Sequence, residues 1–189
     1  MAIYQILDDA NPVLREKAKP ITAVNNAAIR LLNNLRDTLA VTKDGVGLAA
    51  PQIGISKRAF VIVVPLLKKG AKPGKKGKED YECAEYEMIN PRIEERDGWV
   101  EDRERCLSIP GEEGVVPRSE RLVVRYTDRE GKENELVCEG YLARVVQHEY
   151  DHLDGVLFTD RAVSMITRHE SLAADESDGS DDDDHDDDE

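Results

Sequence analysis

Gln147-His148-Glu149-Tyr150-Asp151-His152-Leu153-Asp154-Gly155 contains a His-Glu-x-x-His pattern. Residues four apart share one face of a helix, so His148 and His152 can aim at one metal ion. Glu149 beside them can reach a water held by that ion. Leu142, Val145, Val146 and Leu153 supply an apolar stripe, and Gly155 is placed to stop the helix. A helix is therefore expected from Gly140 or Tyr141 to Asp154. Two histidines leave a metal short of protein ligands, and the rest of the chain has to supply a third.

Working outward, Arg121–Thr127 and Asn134–Cys138 flank Asp128-Arg129-Glu130-Gly131 and read as a β-hairpin. Ala59 to Val64 is an apolar, β-branched run and reads as a buried strand. Glu85–Asn90 reads as another strand with Tyr86, Met88 and Ile89 inward; Asn90-Pro91 turns it, and it resumes at Ile93. Residues 25–42 read as an amphipathic helix, since Ala28, Leu31, Leu32, Leu35 and Leu39 fall at three- and four-residue spacings. Residues 1–20 read as an irregular lead-in, because Pro12 and Pro20 disfavour helix just before them. Gly45–Gly54 is rich in small residues and reads as a loop whose backbone closely approaches something. It lacks the Gly-Lys-Ser/Thr ending of a phosphate loop. Asp160 is expected to cap a last helix through about Ala173, with Val163 and Ile166 or Met165 packing back.

The 189 residues contain no apolar run near the roughly 18–20 needed to cross a membrane. The N-terminus lacks the basic and apolar regions of a secretory signal, so a cytoplasmic location is expected; a monomer without membrane contact is the expectation carried with it. Net charge is −14, yet Glu170–Glu189 alone holds 12 acidic residues and no Lys or Arg. The organisation expected is a catalytic domain over residues 1–174 and a disordered acidic tail over 175–189. Six lysines between Lys68 and Lys78, mixed with Gly and Pro, read as a basic surface loop. That loop is either a solvated tip or a contact for an anionic partner such as RNA phosphate, the ribosome included.

Three cysteines are an odd count without a secretory signal, which argues against a disulfide framework. Cys138 sits in a strand and reads as packing, and Cys83 has no role assigned. His169 and His185 lie in or near the tail, so the third ligand is best sought upstream, at Cys106. A thiolate and two imidazoles leave a fourth position open, the pattern of a catalytic metal. Glu149 would then move the water's proton to a leaving amine, and Gln52 with a backbone N–H near Cys106 would steady the oxyanion. This is the chemistry of amide hydrolysis.

Gly45-Val46-Gly47-Leu48-Ala49-Ala50-Pro51-Gln52, Cys106-Leu107-Ser108 and Gln147-His148-Glu149-Tyr150-Asp151-His152 resemble, in order and spacing, the three motifs of peptide deformylases. The resemblance implies an α+β fold with mixed or antiparallel sheets around a central metal-bearing helix. It implies removal of the N-formyl group from the initiator methionine of nascent chains, giving formate. It implies one divalent cation, Fe(II) in cells with Zn or Ni able to replace it, held by Cys106, His148 and His152. Glu149 would be the general acid/base. Gln52 and the Leu107 N–H would bind the formyl oxygen, and Val46 and Gly47 the peptide backbone. Val46, Leu107, Val145 and His148 would line the methionine pocket. One position departs: Arg105 stands where the family's second motif usually has glycine, which makes it a modulator of substrate binding or, alternatively, the cause of a catalytically weak metal- and peptide-binding protein.

Overall fold

A computed structural model describes residues 2–67 and 81–166; the lysine-rich stretch and the acidic tail lie outside the described residues. Helix α1 (Asn26–Val41) is followed by strands β1 (Gly47–Ala49), β2 (Ala59–Leu67), β3 (Tyr81–Asp97), β4 (Val100–Cys106), β5 (Ile109–Arg118), β6 (Arg121–Thr127) and β7 (Glu133–Glu139). Helix α2 (Gly140–Leu153) and the short strand β8 (Ser164–Ile166) complete the order. The fold is α+β. A five-stranded antiparallel sheet runs β1-β2-β3-β6-β7, and a three-stranded antiparallel sheet runs β4-β5-β8.

The larger sheet is buried on both faces at its β2 strand, whereas the edge strand β7 is largely exposed. Phe60, Ile62 and Val64 point to one side, where they pack with Leu142, Val145, Val146 and Leu153 of α2. Ala59, Val61 and the partly buried Val63 point to the other, against Leu31, Leu32, Leu35 and Leu39 of α1. A continuous apolar run suits a strand covered twice. Each fully buried aliphatic side chain in these layers contributes about 1.5–3 kcal/mol relative to exposure. Asn25 starts α1 by accepting hydrogen bonds from the Ala27 and Ala28 amides at 2.9 and 3.2 Å.

Helix α2 differs because it is buried almost all round. Besides its apolar stripe it buries Arg144, Gln147, Glu149, Asp151 and His152. The apolar side packs on the larger sheet, and Arg144, Gln147 and Asp151 reach polar partners on β4, on β5 and just past it at Ser119. The helix ends at Leu153, and Gly155, two residues on, turns the chain away with φ +73°. A Cβ there would stand 2.5 Å from the Arg15 carbonyl oxygen, so the lead-in can press against the helix end only if this residue is glycine.

The structure corrects several sequence expectations. Asn90-Pro91 does not end a strand: β3 runs through it, with a register shift between Ile89 and Arg92 and Asn90 at φ +48°. A bulge needs no ladder N–H at that point, so proline is tolerated. The glycine-rich segment is more than a loop. It holds β1 and a 3-10 turn over Ala50–Ile53. Asp160 does not cap a helix. It closes a 3-10 turn over Phe158–Asp160, and its carboxylate accepts from the Leu157 amide at 2.8 Å. Val163 and Met165 are exposed rather than packed back, and Ser164–Ile166 pairs with β5 as β8. The remainder of that expected helix lies outside the described residues.

Candidate active site

Both sheets and α2 converge on one cleft of about 410 Å³. Val46, Gly47 and Gln52 enter it from β1 and the following 3-10 turn. Arg105, Cys106 and Leu107 enter from the end of β4, and Val145, His148 and Glu149 from α2. His152 lies beneath, 1% exposed, with its Nε2 3.3 Å from the Cys106 Sγ. All the residues singled out from the sequence are thus brought together.

One ligand atom from each of Cys106, His148 and His152 lies within 4.8 Å of the other two. Strand alternation turns Glu104 and Cys106 inward on β4, while Arg103 and Arg105 point outward. Glu104 Oε2 lies 2.9 Å from the Nδ1 of His148, which leaves Nε2 for a ligand. Carboxylate-anchored histidines of this kind are usual at metal centres. A buried thiol, two buried imidazoles and a buried Glu149 Oε2 without a hydrogen-bond partner fit a divalent cation. Burial lowers His152 well below its usual range and keeps it neutral, as a ligand must be. Burial also works against protonating His148, but hydrogen bonds to Cys106 and Glu104 outweigh it and raise its pKa well above the usual value. A cation at this site would displace that proton.

Glu149 lies over Gly47. A Cβ on residue 47 would come within 2.4 Å of the Glu149 Oε1 and 2.7 Å of its Cδ, so the glycine makes room for the carboxylate. Burial pushes the Glu149 carboxyl up to about 7, against the pull of His148 and with help from Glu104. A carboxyl poised near neutrality can both take and give a proton. Gln52 is preset as a donor: its Oε1 accepts from the Ala49 amide at 2.8 Å, which turns Nε2 toward Ser108 Oγ at 3.3 Å and Cys106 Sγ at 3.7 Å.

Sequence reasoning missed the polar layer behind the ligands. Arg118 donates to both oxygens of Glu104, at 2.8 and 2.9 Å, and to Asp151 at 2.5 Å. Arg144 adds a bond to Glu104 Oε1 at 3.0 Å and another to the Val116 carbonyl. Arg161 grips Asp151 through two bonds, at 2.6 and 2.8 Å. Burial alone would raise Glu104, but the Arg118 and His148 bonds win and hold it at about 2. Alternation back from Cys106 could have found Glu104, whereas no local pattern points to Arg118 or Arg161.

Arg105 does not crowd the ligands. Its side chain is 75% exposed and pairs with Glu113 of β5. Its backbone is absent from the positive-φ region, so a Cβ costs no strain where the resemblance led us to expect glycine.

The polypeptide deformylase family model matches residues 3–168. A peptide deformylase of Symbiobacterium thermophilum is 44% identical over 165 residues, covering 87% of this chain and 69% of that protein. One from Carboxydothermus hydrogenoformans is 40% identical over 168 residues, covering 89% and 99%. The crystal structure of the Thermotoga maritima peptide deformylase superposes with a TM-score of 0.72 at 38% identity, covering 86% of this chain and 99% of that one. A Met-Ala-Ser-bound class I type b peptide deformylase from Acinetobacter baumannii gives 0.71 at 33% identity, covering 85% and 98%.

Proposed function

The chain belongs to the polypeptide deformylase family, metal-dependent hydrolases that remove the N-formyl group from nascent chains, and from this premise we propose how its own residues carry that reaction. The observation that carries the reading is the convergence of Cys106, His148 and His152 beside Glu149 in one cleft.

Cys106, His148 and His152 hold the cation, with Glu104 fixing the His148 ring. The donor set, one thiolate and two imidazoles, would accept Fe(II), Zn or Ni, and the family resemblance points to Fe(II) in cells. When bound, the cation supplies Lewis acidity toward the formyl oxygen and makes water a stronger acid. Gln52 Nε2 and the Leu107 N–H donate to the formyl oxygen as it gains charge. Glu149 takes a proton from the attacking water and delivers it to the leaving nitrogen, so that the products are formate and a free amine. Among the described residues, β1 is an edge strand paired only with β2. Its free side lets Val46 and Gly47 bind an extended peptide by adding a strand. Val46, Leu107, Val145 and His148 line the pocket for the methionine side chain. The Met-Ala-Ser ligand of the Acinetobacter relative is the product such a cleft would release.

Residues 1–174 form the catalytic unit, and 175–189 a tail outside it. We place the protein in the cytoplasm as a monomer, with Lys68–Lys78 as its candidate contact for ribosomal phosphate, a reading that its six lysines support. Among the described residues, no helix is long and apolar enough to cross a membrane.

The test is formate release from a formyl-Met-Ala-Ser peptide by anaerobically purified protein, with metal analysis on the same sample. Turnover abolished by Glu149→Gln supports the reading. A fully metallated protein that releases no formate, or that cleaves unformylated internal peptide bonds, overturns it.

A further inference from the structure

Arg105 sits at the lip of the cleft, one residue from Cys106 and on the opposite side of β4. Its Nε donates to Glu113 Oε2 at 2.5 Å, and its Nη2 meets the same oxygen. Glu113 is itself buried, with its side chain 9% exposed, and its other oxygen, which has no hydrogen-bond partner, lies 3.4 Å from Arg103 Nη1 as an ion pair. The pairing therefore pins the guanidinium in place without covering it. Among the described residues Arg105 makes no other side-chain hydrogen bond, so the edge formed by Nη1 and the far side of Nη2 is free. A planar guanidinium edge matches a carboxylate in a bidentate pair, and holding it still beforehand reduces the entropy lost on binding.

We propose that Arg105, anchored by Glu113, is a specificity-determining residue that favours an acidic side chain at the second or third position of the formyl-methionyl substrate. The inference rests on the deformylase reading. It follows from the continuity of the cleft. The reacting end lies at Cys106 and Glu149 and the methionine pocket beside it, so the next residues of an extended peptide pass the lip. Two guanidiniums share one carboxylate on this wall. Glu112, next to Glu113 on β5, and Lys43 with Asp44, which also line the cleft, bring the lip as a whole to neutrality. Selectivity then comes from the closeness of Arg105 to the peptide, not from a net field.

The experiment compares kcat/KM of the holoenzyme on formyl-Met-Ala-Ser, formyl-Met-Ala-Glu and formyl-Met-Ala-Lys, together with the same substitutions at the second position. Each enzyme is normalised to its own rate on the neutral peptide. The acidic peptide is expected to be favoured about threefold to fivefold over the neutral one, as an exposed pair allows, and mainly through KM. Arg105→Lys should retain much of the preference, while Arg105→Gln and Arg105→Gly should bring the ratio to about one. A wild-type ratio near one, or a preference that persists in Arg105→Gly, overturns the assignment. Formate release from none of the peptides would sink the deformylase reading itself, so the two failures are distinguishable.

Discussion

Gly47→Ala isolates the position of the Glu149 carboxylate. The new Cβ would stand 2.4 Å from Oε1, 2.7 Å from Cδ and 2.8 Å from Cγ, where ordinary contact begins at 3.4 Å. The carboxylate must therefore retreat by about 1 Å. Glu149 is 4% exposed and has no solvent to swing into, so the retreat carries it off the reacting water. A misplacement of that size costs about 10²-fold in rate, which is about 2.7 kcal/mol of barrier. Gly47 has no positive φ, so alanine fits the backbone, and the lost freedom of the unfolded chain offsets part of the clash. Stability should then stay within about 1 kcal/mol of the parent, and metal content should not change. The assay is kcat for formate release at saturating peptide, with metal analysis and thermal unfolding on the same preparation. Saturation separates the effect from any weakening of the backbone contact made by residue 47. A kcat within threefold of the parent, with metal retained, would refute the reasoning that Glu149 needs this space.

Cys106→Ser should remove the thiolate-to-Co(II) absorption band of the cobalt-loaded protein; an unchanged band would show that Cys106 is not a ligand. Arg118→Met should destabilise the fold by about 3–5 kcal/mol in a denaturant titration, because it leaves Glu104 and Asp151 buried without their shared cation. A loss under about 1 kcal/mol would mean that the layer relaxes around the gap. Glu104 is held at about 2 against an ordinary 4.5. Its contribution to stability, about 3 kcal/mol, is full above pH 4.5 and drains away as the pH falls toward 2. Glu104→Gln should erase that part of the acid dependence, and an unaltered acid profile would place the titration elsewhere.

The parts of the fold legible in the sequence are those whose burial is apolar. The leucine spacing of residues 25–42 matches the face that α1 buries, and the run through Phe60, Ile62 and Val64 matches a strand covered on both sides. The β6–β7 hairpin announced itself through alternation and a turn. The smaller sheet did not. β4 reads Val-Glu-Asp-Arg-Glu-Arg-Cys, and its inward position is filled by Glu104, which is buried only because Arg118 and Arg144 meet it. A strand whose inner face is ionic has no hydrophobic period to detect. β8 spans three residues, two of them exposed, and owes its form to pairing with β5. The site followed the same division. Ligands and the general base lie in short motifs, while Arg118 reaches Glu104 and Asp151 from 14 and 33 residues away, outside any of them.

The two faces of α2 should also accumulate change in different ways. On the side toward the larger sheet, Leu142, Val145, Val146 and Leu153 ask only for volume, so one-for-one exchanges among aliphatic residues cost little. On the side toward β4 and β5, a lone substitution strands a buried charge, whereas joint replacement of both partners by apolar residues is close to neutral. Drift on that face must therefore proceed in coordinated steps. Because Arg118 bonds both Glu104 and Asp151, the residues Arg144, Glu104, Arg118, Asp151 and Arg161 would move as one linked set, crossing costly partial intermediates on the way.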